Sequence, residues 1–298
     1  KVCEAGSMGR AALDLGLATS ALSQQISRLE GELATRLLRR QATGVVPTDA
    51  GLAFLQQAQL TLRHAADAVH AAQTARLSGH VSIGLASTTA SVLGVPLIAA
   101  MAERYPAVRV HLVEALSGHL STMLNARQLD LAILFQTESA RRWSVTPLLE
   151  EKLFVIGAPT LPGMPAGARV RLKDLGDLPL ILPSPSHGLR ALTDAAFARQ
   201  RLTPRVQAEV DGLSLLMDAV RAGFGATTQP SAAMARLPPG SVRSVPLADA
   251  LTSRRNLLAS LSEDELSPAA LAAGVVLADV ARALVRSGGW IGAALHKD

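Results

Sequence analysis

The chain has 298 residues, 49% of them hydrophobic and 18% charged, with a formal net charge of +5 and a single cysteine, Cys3. That length allows two or three compact units, and that apolar content excludes an intrinsically disordered chain. One thiol excludes intrachain disulfides and Cys-based zinc sites; aromatics at 3% argue against stacking platforms for single strands, while the basic balance permits a nucleic-acid partner.

The chain opens at Lys1–Val2–Cys3–Glu4, which reads as a helix already under way, so the first helix is expected to be truncated. No charged-then-apolar export pattern is present, which fits a cytoplasmic address. Ser7 is placed to cap a helix whose apolar face holds Ala11, Ala12 and Leu15, and Gly16 breaks it. The next helix begins near Thr19 or Ser20. Its apolar residues Leu22, Ile26, Leu29 and Leu33 step by four, three and four, so they share one face. The opposite face carries Ser20, Ser23, Gln24, Ser27 and Arg28.

Two short helices joined by a glycine turn, the second with a polar outer face, make a helix-turn-helix. Gln24 can pair bidentately with adenine, whereas Arg28 lies a turn further on and suits phosphate. A basic run, Arg36, Arg39 and Arg40, leads into the hairpin Thr43–Gly44–Val45–Val46–Pro47, a wing in which Arg40 and Gln41 are placed to hold the DNA backbone. Thr19 and Thr48 complete the candidate DNA-binding set, Thr48 opening the following helix. That helix, about Asp49 to Leu77, keeps Leu55, Ala58, Leu62, Ala65, Val69 and Ala72 in a three-four spacing. Such a short heptad seam on an exposed helix calls for a second copy of the chain, with Leu55, Leu62 and Val69 at the contact.

From Gly79 on, short β-rich runs alternate with helical stretches, which predicts α/β architecture. In open α/β sheets ligands bind beyond the carboxyl ends of strands, where helix N-termini offer free N–H groups. Ser87, Thr88 and Thr89 follow the first strand and Ser117–Gly118 the second. Ser184, Ser186 and His187 with Arg190, and then Thr227, Thr228 and Gln229, offer the same chemistry further on. Hydroxyls at helix starts are also ordinary caps, and only their clustering at strand ends favours binding. The apolar stretch Ala269 to Val285 is interrupted by Asp279 and Arg282, which argues against a membrane span.

No His-Glu-x-x-His run, GxSxG elbow or Gly-x4-Gly-Lys loop is present, and the seven histidines show no metal-ligand spacing. The expectation is therefore no enzyme, no cofactor and no metal.

The run Gly6–Ser7, Arg10–Ala11–Ala12, Ala21–Leu22–Ser23–Gln24–Gln25–Ile26, Leu29–Glu30, Glu32–Leu33, Leu37–Leu38, Arg40 and Pro47–Thr48–Asp49–Ala50–Gly51 resembles the signature of LysR-type regulators. The family usually has Ser where Ala18 stands and Pro where Ser20 stands, so the resemblance implies that the helix cap has moved to Thr19 or Ser20. Gly79 to Gly84, Pro106 to Glu114, Leu129 to Ile133 and Ala219 to Gly225 resemble its sensor strands and turn, so the likeness spans nearly the whole chain. Ala21–Arg40 and Val81–Ala86 are most similar to the nitrogen assimilation control subfamily.

The resemblance implies an all-α winged helix-turn-helix at 1–50, a linker and dimerisation helix at 51–78, and a two-lobed, periplasmic-binding-protein-like effector domain at 79–298. Its first lobe would comprise about 79–154 and 255–298, its second about 155–254. It further implies double-stranded promoter DNA as partner and assembly to dimer and homotetramer, with contact to RNA polymerase left open and no membrane. A small anion or metabolite would sit between the lobes near Ser87, Thr88, Thr89, Ser117, Ser184, Arg190, Thr227 and Thr228. A solute-binding receptor would share the two lobes but needs no residues 7–51.

Overall fold

The computed structural model describes residues 1–41, 44–73, 77–135, 143–185 and 187–296, with the side chains of 66–73 and 263 outside the description. It divides into two compact units, Lys1–Ala66 and Asp67–Asp298.

In the first unit α1 (Val2–Ala5) ends on Gly6, and Ser7 caps α2 (Met8–Asp14) by accepting the Arg10 N–H at 3.5 Å. The chain reverses at Gly16, whose φ of +66° costs a glycine nothing, and α3 (Thr19–Glu32) follows. Ala11, Ala12 and Leu22 pack with Val2 and Val45, and Ile26 lies partly buried against them. Two residues expected on apolar faces lie elsewhere. Leu15 and Leu33 are the C-caps of α2 and α3 and are 44% and 41% exposed, because each helix stops before the periodic pattern does. The start of α3 also corrects the expectation from sequence. Neither Thr19 nor Ser20 caps it; Ala18 does, in extended conformation and with no side-chain bond, which leaves the first N–H groups without a side-chain acceptor.

After α3, β1 (Leu38–Gln41) and β2 (Gly44–Pro47) pair antiparallel, Leu38 opposite Pro47 and Gln41 opposite Gly44; Thr43 lies outside the described residues. At the start of α4 (Asp49–Gln73) the Thr48 hydroxyl accepts the Gly51 N–H at 3.0 Å and donates to the Arg36 carbonyl at 2.7 Å. Position 51 must be glycine, since a Cβ there would sit 1.9 Å from the Leu37 carbonyl oxygen.

The second unit opens with β3 (Gly79–Leu85), α5 (Ser87–Arg104), β4 (Val108–Glu114), α6 (Ser117–Asn125) and β5 (Leu131–Leu134). Five consecutive buried residues in β3, Ser82 and Gly84 among them, mark a strand covered on both faces. β3 lies parallel between β4 and β5. The 14-residue β6 (Ser144–Gly157) then carries the chain out of this lobe. Its second half starts a second lobe with β7 (Leu180–Leu182), α7 (Gly188–Arg199), β8 (Val206–Glu209), α8 (Leu213–Arg221), β9 (Thr227–Pro230) and β10 (Arg243–Pro246). β9 and β10 pair antiparallel with the 153–157 half of β6, and β7 pairs parallel with β8.

The chain returns through β11 (Ser253–Ser260), antiparallel to β5 and to the first half of β6, followed by α9 (Pro268–Arg286) and β12 (Ala293–Leu295). β6 and β11 are thus the paired strands on which the two lobes meet. α9 is long and apolar enough to cross a membrane, yet its Ala269, Ala270, Ala273, Val276, Leu277 and Ala281 fill the first lobe's core. Its composition is that of a core helix.

Candidate functional sites

The outward face of α3 presents Thr19, Ser20, Gln24, Ser27 and Arg28 to solvent, because Leu22 and Ile26 must point to the small core behind them. The hairpin is tied to that face. Arg40 donates from Nη2 to the Ser23 hydroxyl at 2.9 Å, while Gln41 at the tip is exposed. Arg28 holds Glu32 at 3.0 Å on the exposed side and remains solvent-facing. Thr48 is occupied as a helix cap, so its role is to set the angle at which α4 leaves the hairpin.

A residue whose role the sequence did not reveal organises this unit. Glu30, buried at the inner side of α3, accepts the N–H groups of Leu37 (2.8 Å) and Leu38 (3.0 Å) and the Arg36 guanidinium (2.8 Å). Burial pushes its carboxyl up, but the two backbone donors and Arg36 together outweigh that and hold it below the ordinary glutamate value. One carboxylate thus fixes the hairpin's entry relative to α3.

On α4, Leu55 and Ala58 border an apolar recess shared with Leu22, Ile26, Leu29 and Leu37. Leu60 is buried, and Leu62 is 71% exposed. The side chain of Val69 lies outside the described residues.

Between the two lobes of the second unit lies a cavity of about 190 Å³. Ser87 and Thr88 from the start of α5 and Ser117 from the start of α6 line it, as do His187 and Gln229 from the second lobe. Other residues expected there are placed elsewhere. Thr89, Thr227 and Thr228 are fully buried and do not line the cavity; Thr228 shares a hydrogen bond with Thr193 at 3.1 Å. Ser184 donates its N–H and hydroxyl to Asp211 at 2.8 and 3.0 Å, and Arg190 is spent on Asp194, Glu209 and the Pro183 carbonyl. Ser186 lies outside the described residues. For Thr89, Thr228, Ser184 and Arg190 the physical reason is common: hydroxyls and cations at strand ends found partners inside the protein before they could face the cleft, whereas the Thr227 hydroxyl is buried with no partner among the described residues.

The wall also contains Arg254, Phe135 and Asp211, none of which the sequence singled out. Arg254 stacks on the Phe135 ring at 3.8 Å and donates to Glu151 (Nε, 2.6 Å) and to the Thr88 hydroxyl (Nη2, 2.5 Å). The same Glu151 accepts Asn256 at 3.1 Å and the Trp290 indole N–H at 3.0 Å. Arg254 and Glu151 are register partners on β11 and β6. His187 caps α7 by accepting the Leu189 N–H at 3.2 Å; burial first, and the Arg254 charge second, hold its imidazole below the ordinary value. Asp211 is held below the usual carboxylate range by the two Ser184 hydrogen bonds.

Comparison with known proteins fits both units. Residues 1–52 match the family model described as bacterial regulatory helix-turn-helix protein, lysR family, and residues 74–282 match the LysR substrate binding domain. The nitrogen assimilation regulatory protein nac of Escherichia coli is 36% identical over 237 residues, covering 78% of this chain and 76% of that protein. Full-length OxyR from Pseudomonas aeruginosa aligns with a TM-score of 0.71 at 23% identity, covering 94% of each chain. LysG from Corynebacterium glutamicum, solved full-length with bound effector Arg, aligns with a TM-score of 0.66 at 18% identity over 95% of each chain.

Proposed function

The chain belongs to the LysR family of bacterial transcription regulators, and on that premise we propose that it reads promoter DNA with the outer face of α3 and answers to a small molecule held between its two lobes. Residues 1–50 form the DNA-binding domain, 51–78 the linker helix and 79–298 the effector-binding domain. The protein acts in the cytoplasm on double-stranded DNA, as a regulator of the nitrogen assimilation control type rather than as an enzyme.

The observation that carries this reading is the joint presentation of Ser20, Gln24 and Arg28 on one exposed helix face with Arg40 anchored beside them. The first turns of such a helix enter the major groove while the wing holds the backbone. Gln24 reads a base edge, Arg28 a phosphate. The two variants therefore fail differently in anisotropy titrations of labelled promoter fragments. Gln24→Ala loses roughly 1–3 kcal/mol on the cognate site and discriminates less between sites. Arg28→Ala weakens all sequences about equally and flattens the salt dependence. Equal loss on specific and random DNA for Gln24→Ala would make Gln24 a backbone contact.

Two half-site readers on one palindromic operator add their binding energies, so the functional unit is a dimer joined through α4, with Leu55, Leu62 and Val69 at the seam, and the sensor domains assemble it into a tetramer. In the effector domain Ser87, Thr88 and Ser117 border the ligand. Occupancy alters the angle between the lobes and with it the spacing of the DNA readers. Ser87→Trp fills the cleft; a normal effector response in that variant would move the pocket elsewhere.

A further inference from the structure

Four helices point their N-termini at the inter-lobe cavity. Residues at the starts of α5 and α6 line it from the first lobe, and residues at the starts of α7 and α8 from the second. Ala86, Leu116 and Gly212, the N-caps of α5, α6 and α8, make no side-chain cap bond, so their helices' first N–H groups have no side-chain acceptor. Each N-terminus carries about half a positive charge. Added to these is Arg254, whose Nε and Nη2 are engaged while its Nη1 makes no hydrogen bond among the described residues.

A second, independent feature lies across the cavity. Gln229 of β9 is only 3% exposed and lines the cleft, and its side-chain oxygen has no hydrogen-bond donor among the described residues. A buried amide oxygen without a donor costs on the order of 1–3 kcal/mol. The site is thus incomplete at both walls, and the two walls ask for opposite chemistry. The helix N-termini and Arg254 offer donors to an anion, and Gln229 offers an acceptor to a hydrogen-bond donor. A cavity of about 190 Å³ is below the usual drug-sized range, which limits the occupant to a small metabolite.

We infer that the cleft takes a small carboxylate bearing a hydroxyl or ammonium group, its carboxylate held by Arg254 Nη1 and the open N-termini of α5 and α6, its donor by the side-chain oxygen of Gln229. This deepens the effector-cleft reading above and rests on it. One such molecule spans both lobes. It is anchored on one side to the strand pair β6 and β11, where Arg254 faces Glu151, and on the other to β9. Its full set of bonds exists at one lobe angle only, and that differential affinity is what allows binding to select a conformation.

The test titrates the full-length protein by calorimetry with matched pairs. L-lactate and L-alanine are compared with propionate, L-malate with succinate, and each acid with its neutral amide. The inference expects saturable binding of at least one hydroxy or amino acid, weaker by on the order of tenfold when the donor is removed and lost in the amide. Gln229→Met, with tryptophan fluorescence confirming an intact fold, erases the preference for the donor-bearing acid. Gln229→Glu keeps an acceptor but adds a negative charge, and shifts preference from the hydroxy acid to the amino acid.

Equal binding of propionate and lactate, equal binding of acids and amides, an unchanged preference in Gln229→Met, or no binding by any member of the series overturns the inference. Ser87→Trp separates the two levels. A neutral compound that binds and is blocked by Ser87→Trp leaves the cleft as effector site and removes only the ligand class. Binding of the acids that persists in Ser87→Trp removes the cleft itself.

Discussion

Glu151 is the acceptor on which the lobe junction depends, and replacing it with alanine tests that dependence directly. Its carboxylate is 2% exposed and takes three donors: the Arg254 guanidinium, the Asn256 amide and the Trp290 indole N–H. Removing one partner of a buried ion pair costs about 3–5 kcal/mol, because the remaining charge stays buried without compensation. The indole N–H of Trp290, a residue 1% exposed, loses its hydrogen-bond acceptor, at roughly 1–3 kcal/mol. The two losses share one site and do not add in full, so about 5 kcal/mol is expected against a total of 5–15 kcal/mol for a typical domain. For a unit of this size that corresponds to a fall of about 10–20 °C in Tm.

Glu151→Gln keeps an acceptor for Trp290 and should lose about half as much. The assay is thermal unfolding followed by tryptophan fluorescence. Both tryptophans, Trp143 and Trp290, belong to the effector unit, so the signal reports that unit alone. A Glu151→Ala protein within about 1 kcal/mol of the parent would mean that water replaces the carboxylate at no cost, and the junction would not be held by this network.

Glu30 supplies a pH dependence to the first unit. Its carboxyl is held below the ordinary value in the folded state, so its contribution is complete above that value and disappears as the pH falls through the lowered one. Pulsed pepsin digestion should show the α3–hairpin segment opening in that acid window, and Glu30→Gln should open it at every pH. Ala18→Ser supplies the cap that α3 lacks and should stabilise the helix by about 0.5–2 kcal/mol, read as slower amide exchange in its first turns; unchanged exchange would mean that the first N–H groups already have acceptors. Leu62→Asp places a charge at the exposed α4 position and should lower the sedimentation coefficient and the DNA affinity together. Unchanged sedimentation would take Leu62 out of the subunit contact.

Much of this protein was legible in its residues because the relevant information is local. The alternation of helical spacing with glycine breaks located α2, the turn at Gly16 and α3, and the outward set Ser20, Gln24 and Arg28 followed from where Leu22 and Ile26 had to point. Periodicity was less able to say where a helix stops. Leu15 and Leu33 continue their patterns past the last hydrogen-bonded turn, and the N-cap fell on Ala18 because backbone geometry chose the position, not the side chain best suited to it.

The same divide runs through the effector domain. Strand ends and helix starts were marked by sequence, so Ser87, Thr88 and Ser117 were found at the cavity wall. Which polar groups remain open to a ligand is decided only after every internal partner has been taken, and that is a property of the folded whole. Ser184 and Arg190 were consumed by Asp211, Asp194 and Glu209. Arg254 became a cleft residue only when β11 paired with β6 and set it beside a carboxylate 103 positions away in the chain. Local spacing determined the helices, the turn and the outward polar face of α3. Long-range strand register and the competition for hydrogen bonds in a low-dielectric interior decided the cleft.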